Sequence, residues 1–198
     1  PRKTTSPAAS VNPTSHSLTT NSLMVKFVEN ELLSIRKEIR DMWTLVYEQL
    51  DNAYKSLLET DIELAAQVAA REKRVNAFEL KIDSDIEDFI ALYNPVAVDL
   101  RFSLAMLKIN NNLERIGDYA DSIARFVVRT EPQPTDRELF ERLKLREMYE
   151  TALNMLKTTM ESLEMQDIAK AKSVFEIDET LDNTRSHRSS QSNLFPKL

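Results

Sequence analysis

Cysteine is missing from all 198 residues, which excludes disulfides, thiolate metal sites and a cysteine nucleophile and fits a reducing compartment. Glycine occurs once, at Gly117, and proline seven times, too few turn residues for an all-β fold. The two histidines, His16 and His187, both fall in stretches that read as tails. Without a helical histidine there is no Glu-x-x-His pair for a ferritin-like di-metal oxidase, no base to activate a serine and no phosphorelay site. P-loop and Rossmann glycine patterns are absent as well. No apolar run approaches 18 residues and no signal-peptide core opens the chain, so the expected location is cytoplasmic, with membrane contact only through partners. Basic residues are outnumbered, 26 Lys and Arg against 32 Asp and Glu, and a net charge of -6 gives no footprint for nucleic acid.

What remains is helical material, 42% hydrophobic and 29% charged. Residues 1–23 are rich in Ser, Thr, Pro and Asn and read as a disordered extension. From Val28 the apolar positions recur every three or four residues through Leu32, Ile35, Ile39, Met42, Val46, Leu50, Ala53 and Leu57, the pattern of a long amphipathic helix. Thr60-Asp61-Ile62-Glu63 reads as a capping box for a second helix with a seam through Ala65, Val68, Val75, Ile82, Ile86 and Phe89. Asn94-Pro95 ends that helix and starts a third, whose seam runs through Phe102, Met106, Ile109, Leu113, Ile116, Ala120, Ile123 and Val127. Short connections make these three helices an antiparallel bundle over residues 24–130.

Residues 131–198 read as a partial second copy. Thr135 and Glu138 offer a cap for a fourth helix, and an offset of 106 residues carries Met42 to Met148, Trp43 to Tyr149, Leu50 to Leu156, Asp61-Ile62 to Asp167-Ile168 and Val68 to Val174. Past Arg185 the apolar period stops, so the expected architecture is all-α, with tandem three-helix bundles of which the second is incomplete. Two amphipathic helices leave a groove uncovered, which points either to a shortened sequence or to completion by another chain, and a homodimer or higher oligomer is expected.

Gly117 sits inside Asn112-Leu113-Glu114-Arg115-Ile116-Gly117-Asp118-Tyr119-Ala120, and glycine in a helix interior costs roughly 0.5–1 kcal/mol against alanine, so close backbone approach is expected there. Glu114 and Asp118, one helical turn apart, share a face and are able to hold one cation between them. Acid pairs at this spacing number five, about what 32 acids in 198 residues produce by chance, so a solvated acidic face competes with the cation site. At about 100° per residue the pair falls nearly opposite the apolar seam, on the outer face or beneath a crossing element. Glu79 and Asp83 flank the second helix, where carboxylates on neighbouring helices come within reach of a shared metal. Oxygen-only ligation suits magnesium, manganese or ferric iron and leaves zinc open.

Ile90-Ala91-Leu92-Tyr93-Asn94-Pro95-Val96-Ala97-Val98-Asp99-Leu100-Arg101, Leu107-Lys108-Ile109, Leu113-Glu114-Arg115-Ile116-Gly117-Asp118 and Ile123-Ala124 together resemble the PhoU family of phosphate-uptake regulators over about residues 28–185. The resemblance implies tandem bundles that bind multinuclear iron or zinc through ExxxD or DxxxD motifs. Glu114 with Asp118 then forms one motif of the first bundle, with Glu72 and Asn76, or Glu79 and Asp83, as its partner. Asp178 and Asp182 belong to the second bundle, whose own partner motif would lie beyond the chain. It also implies a non-catalytic adaptor that represses the phosphate-starvation response by linking the ATPase of a phosphate ABC transporter to a sensor histidine kinase. The alternatives are a metal-binding oxidase or storage bundle and a cytoplasmic assembly domain of a larger phosphate transporter.

Overall fold

The computed structural model describes residues 14–130 and 137–178, with side chains over 25–130 and 138–178. Helices α1 (Thr14–Glu59), α2 (Ile62–Tyr93) and α3 (Val98–Arg129) form the first bundle. A short α4 (Arg137–Arg142) leads into α5 (Leu145–Met165), and α6 runs over 168–178 to the end of the described residues. Among the described residues there is no strand.

The first helix starts earlier than composition implied. Residues 14–23, expected to be irregular, are helical. They contain neither proline nor glycine, and lengthening an existing helix requires no new nucleus. Residues 1–13 lie outside the described part.

The cap between α1 and α2 is shifted by one residue. Thr60 has φ 56° and closes α1, so Asp61 becomes the N-cap and its carboxylate accepts from the Leu64 amide at 2.9 Å. Glu63 consequently sits too early to complete a capping box. Asn94 ends α2 in the left-handed region that asparagine tolerates, as expected. Pro95, however, lies in the connection, because α3 begins only at Val98. The fourth helix is interrupted at Leu143-Lys144, and no packing among the described residues explains that break. The cap expected at Thr135 lies outside the described residues.

The core follows a heptad. In α1, Ile35, Ile39, Met42, Val46 and Ala53 are buried, and the α2 seam is buried at all six expected positions. In α3 half of the expected seam is displaced by one residue. Met106, Leu113, Ala120 and Val127 are buried as read, but the alternate positions are Ser103, Asn110, Gly117 and Ala124. Phe102, Ile109, Ile116 and Ile123 pack half-buried at the edges of the core. Bulk alone favoured the larger residues. The backbones of α2 and α3 approach so closely that the central positions have room only for small ones: a Cβ on Gly117 would lie 2.9 Å from Val75 Cγ1.

The second repeat reproduces the first in its hydrogen bonds. Ser56 donates to the Ala53 carbonyl and Ser162 to that of Thr159, both at 2.8 Å. Gln166, like Thr60, takes positive φ, and Asp167 then caps the Lys170 amide at 2.9 Å as Asp61 caps Leu64. The two repeats dock through α1 and α5 with the same reciprocity. Trp43 Nε1 donates to the Leu156 carbonyl at 3.1 Å, and Tyr149 Oη donates to the Leu50 carbonyl at 2.8 Å. Trp43 and Tyr149 are equivalent under the 106-residue offset, and so are Leu50 and Leu156, so α1 and α5 are related by a local pseudo-twofold. Tyr54 stacks on Tyr149 with ring centroids 3.9 Å apart, and Arg40 pairs with Glu164.

Candidate functional site

The displaced seam of α3 moves its acids. With Asn110 and Gly117 facing α2, Glu114 lies beside the α2–α3 contact, half-buried, while Asp118 is exposed. The expected position nearly opposite the core therefore becomes a position at its flank, where α2 is the neighbour. Burial raises the Glu114 carboxyl above its ordinary range, and the negative charges of Asp118 and Glu79 raise it further against the weaker pull of Arg115.

Asn110 is the residue that pattern reading missed. It is fully buried, and its amide donates across the seam to the Glu79 carbonyl at 2.9 Å and to Asp83 Oδ1 at 2.8 Å. It thereby sets where the Asp83 carboxylate lies relative to Glu114, one turn further along α3. A polar residue one turn before Glu114 was the available signal, but the seam as read left Asn110 off the core.

The two candidate partner pairs on α2 separate clearly. Asn76 donates to Glu72 Oε1 at 2.5 Å, and Glu72 also acts on Arg125, which is bound to Asp121. Glu72 and Asn76 therefore belong to a region with its own cation. Glu79 acts on Glu114 instead, Asp83 is held by Asn110, and among the described residues no ion pair neutralises Glu79, Asp83, Glu114 or Asp118. Asp178, the last described residue of α6, is exposed, and Asp182 lies outside the described residues. No group of three His, Cys, Asp or Glu among the described residues is close enough to hold one metal ion together. The seam as it stands offers pairs of oxygen donors.

The raised Glu114 carboxyl has a consequence for stability. Its folded pKa lies above its ordinary value of 4.5, so the folded state binds the proton more tightly and stability falls as pH rises from 4.5 through the folded pKa, then levels off. Glu114→Gln removes that loss. The variant is expected to be more stable than wild type at pH 7, by roughly 0.2–0.5 kcal/mol for a like-charge pair one turn apart, and equal to it at pH 3. Urea melts at the two pH values measure this, and an equal difference at both would refute the repulsion.

The comparisons with known proteins agree with this architecture. The PhoU domain family matches residues 39–127 and 145–192, one segment in each repeat. The phosphate-specific transport system accessory protein PhoU homolog of Aquifex aeolicus is 32% identical over 152 residues, covering 77% of this chain and 67% of that protein. The phosphate-specific transport system accessory protein PhoU of Escherichia coli is also 32% identical over 152 residues, covering 77% of this chain and 62% of its own length. The chain thus spans about two thirds of the curated relatives it matches. PhoU from Pseudomonas aeruginosa superposes with a TM-score of 0.73 at 26% identity, over 82% of this chain and 77% of that one. The phosphate transport system regulatory protein PhoU from Streptococcus pneumoniae gives 0.72 at 25% identity, over 83% and 76%. With both repeats matched and the bundles superposed, the chain belongs to the PhoU domain family.

Proposed function

We propose that the chain acts as a non-catalytic regulator of a phosphate-specific transport system, an adaptor that couples the transporter ATPase to a sensor histidine kinase and represses the phosphate-starvation response. The observation that carries this reading is the family match across both repeats, joined to their back-to-back docking through α1 and α5. Such docking holds two helical units in a fixed relation, which suits a scaffold that binds two partners at once. No helix among the described residues is long and apolar enough to cross a membrane. Contact with a transporter at the cytoplasmic membrane face, and assembly into a homodimer or higher oligomer, belong to the same proposal. A pull-down from phosphate-replete cells is expected to recover the ATPase and the kinase. Recovery of neither would remove the adaptor reading.

A second proposal rests on the unneutralised acids of the α2–α3 seam. Glu79, Asp83, Glu114 and Asp118 form an all-oxygen donor set that fits iron, magnesium or manganese and accommodates zinc. A bound cation would screen the repulsion around Glu114 and so stabilise the folded chain. The spacing of these residues supports ions held between pairs of carboxylates. Elemental analysis of protein purified without chelator, repeated after incubation with each metal, tests this directly. Metal at or above one equivalent in wild type, lost in Glu114→Gln, is the expected result, and metal-free protein in both conditions would leave a solvated acidic face.

A further inference from the structure

A cavity of about 140 Å³ lies where the two repeats meet. Helix α1 supplies Ile39 and Trp43, α3 supplies Phe102 and Met106, and α5 supplies Met160, so its walls are apolar on three sides. Its charged rim consists of Arg36, Arg40 and Glu164. Arg40 is paired with Glu164, whereas the half-buried Arg36 guanidinium lies 4.2 Å above the Phe102 ring and has no carboxylate partner among the described residues. The cavity therefore combines an apolar floor with a polar, partly open rim that carries one planar cation without a carboxylate partner. Two larger clefts around α4, α5 and α6 differ: in one, Lys144 and Arg146 are outnumbered by Glu59, Glu141, Glu147 and Glu150, and the other is edged by Glu147, Glu150 and Glu176 without a cation.

We propose that this cavity binds a small monocarboxylate carrying one aromatic ring or a short branched chain, with the carboxylate on Arg36 and the apolar part against Trp43, Met106 and Met160. Size sets the limit: an apolar cavity of about 150 Å³ accommodates one benzene ring. Charge sets the class, because a guanidinium pairs with a carboxylate through two parallel hydrogen bonds. The site spans both repeats, so its ligand would brace the docking that Trp43 and Tyr149 hold.

Trp43 is the chain's only tryptophan and reports on the cavity from within. The full chain is titrated with benzoate, with neutral benzyl alcohol and with inorganic phosphate, following Trp43 emission. Benzoate is expected to give a saturable change, benzyl alcohol one about tenfold weaker, and phosphate none. Arg36→Gln should reduce benzoate to the affinity of benzyl alcohol while leaving benzyl alcohol unchanged, and unaltered circular dichroism shows that the fold is kept. On wild type alone, added salt should weaken benzoate and not benzyl alcohol, which keeps the test decisive should that variant fail to fold. Equal binding of benzoate and benzyl alcohol, or of benzoate and phosphate, or no saturable response to benzoate, would overturn the proposal.

Discussion

Trp43→Ala is expected to cost roughly 3–5 kcal/mol of stability, at the upper end for a single side-chain truncation. The ring is 4% exposed and belongs to the main apolar cluster, and its indole nitrogen holds the Leu156 carbonyl at 3.1 Å. Truncation leaves a void at the junction of α1 and α5 and releases one of the two reciprocal bonds between the repeats. Trp43→Phe keeps most of the apolar contact and loses the donor, so a cost of about 1 kcal/mol is expected, and Tyr149→Phe should lose a similar amount by removing the equivalent donor. Burial, reinforced by the nearby Asp51 charge, pushes the Tyr149 phenol up, so the hydroxyl remains a neutral donor across the working pH range. Urea denaturation followed by far-ultraviolet circular dichroism measures each loss, since Trp43 is the only tryptophan and its fluorescence disappears with it. A Trp43→Ala variant within 1 kcal/mol of wild type would show that α1 and α5 do not dock in this manner.

Gly117→Leu is expected to cost about 3 kcal/mol, at the upper end of overpacking in a well-filled core. A β-carbon at that position already lies 2.9 Å from Val75 Cγ1, and valine is stiff at χ1, so α2 and α3 must separate to admit the rest of a leucine. Gly117→Ala is the informative companion. Alanine gains roughly 0.5–1 kcal/mol of helix preference and meets the same close contact, so the two effects oppose and the net change should be small. Truncating the neighbour separates them: in a Val75→Ala background, Gly117→Ala should raise stability by most of that preference. If leucine is tolerated at wild-type stability, the helices are further apart than described, and the contact of Asn110 with Asp83 loses its basis as well.

Much of this architecture is legible in the residues themselves. The α1 and α2 seams follow from apolar spacing because each helix has one dominant buried stripe, and a large side chain pointing at solvent gains nothing. The repeat is legible for a similar reason. Asp61 and Asp167 must each cap a helix, and Trp43 and Tyr149 must each reach across to a carbonyl, so equivalent geometry retains equivalent chemistry at fixed separation. The resemblance carried by the run around Glu114 and Gly117 led to the same family that the two matched segments establish.

The seam of α3 shows where that legibility ends. Spacing alone determined that the helix is amphipathic and that Met106, Leu113, Ala120 and Val127 face inward. It could not choose between Ile109 and Asn110, or between Ile116 and Gly117, for the alternate positions, because apolar patterning ranks residues by size and closeness of approach selects against size. Only tertiary packing decided that the small and polar set faces α2. That one-residue rotation brought Glu114 to the seam, set Asn110 against Asp83, and gave Glu79 rather than Glu72 as the acid facing it. Local periodicity is a property of one helix, whereas the distance between two backbones belongs to the pair and appears only once both are in place.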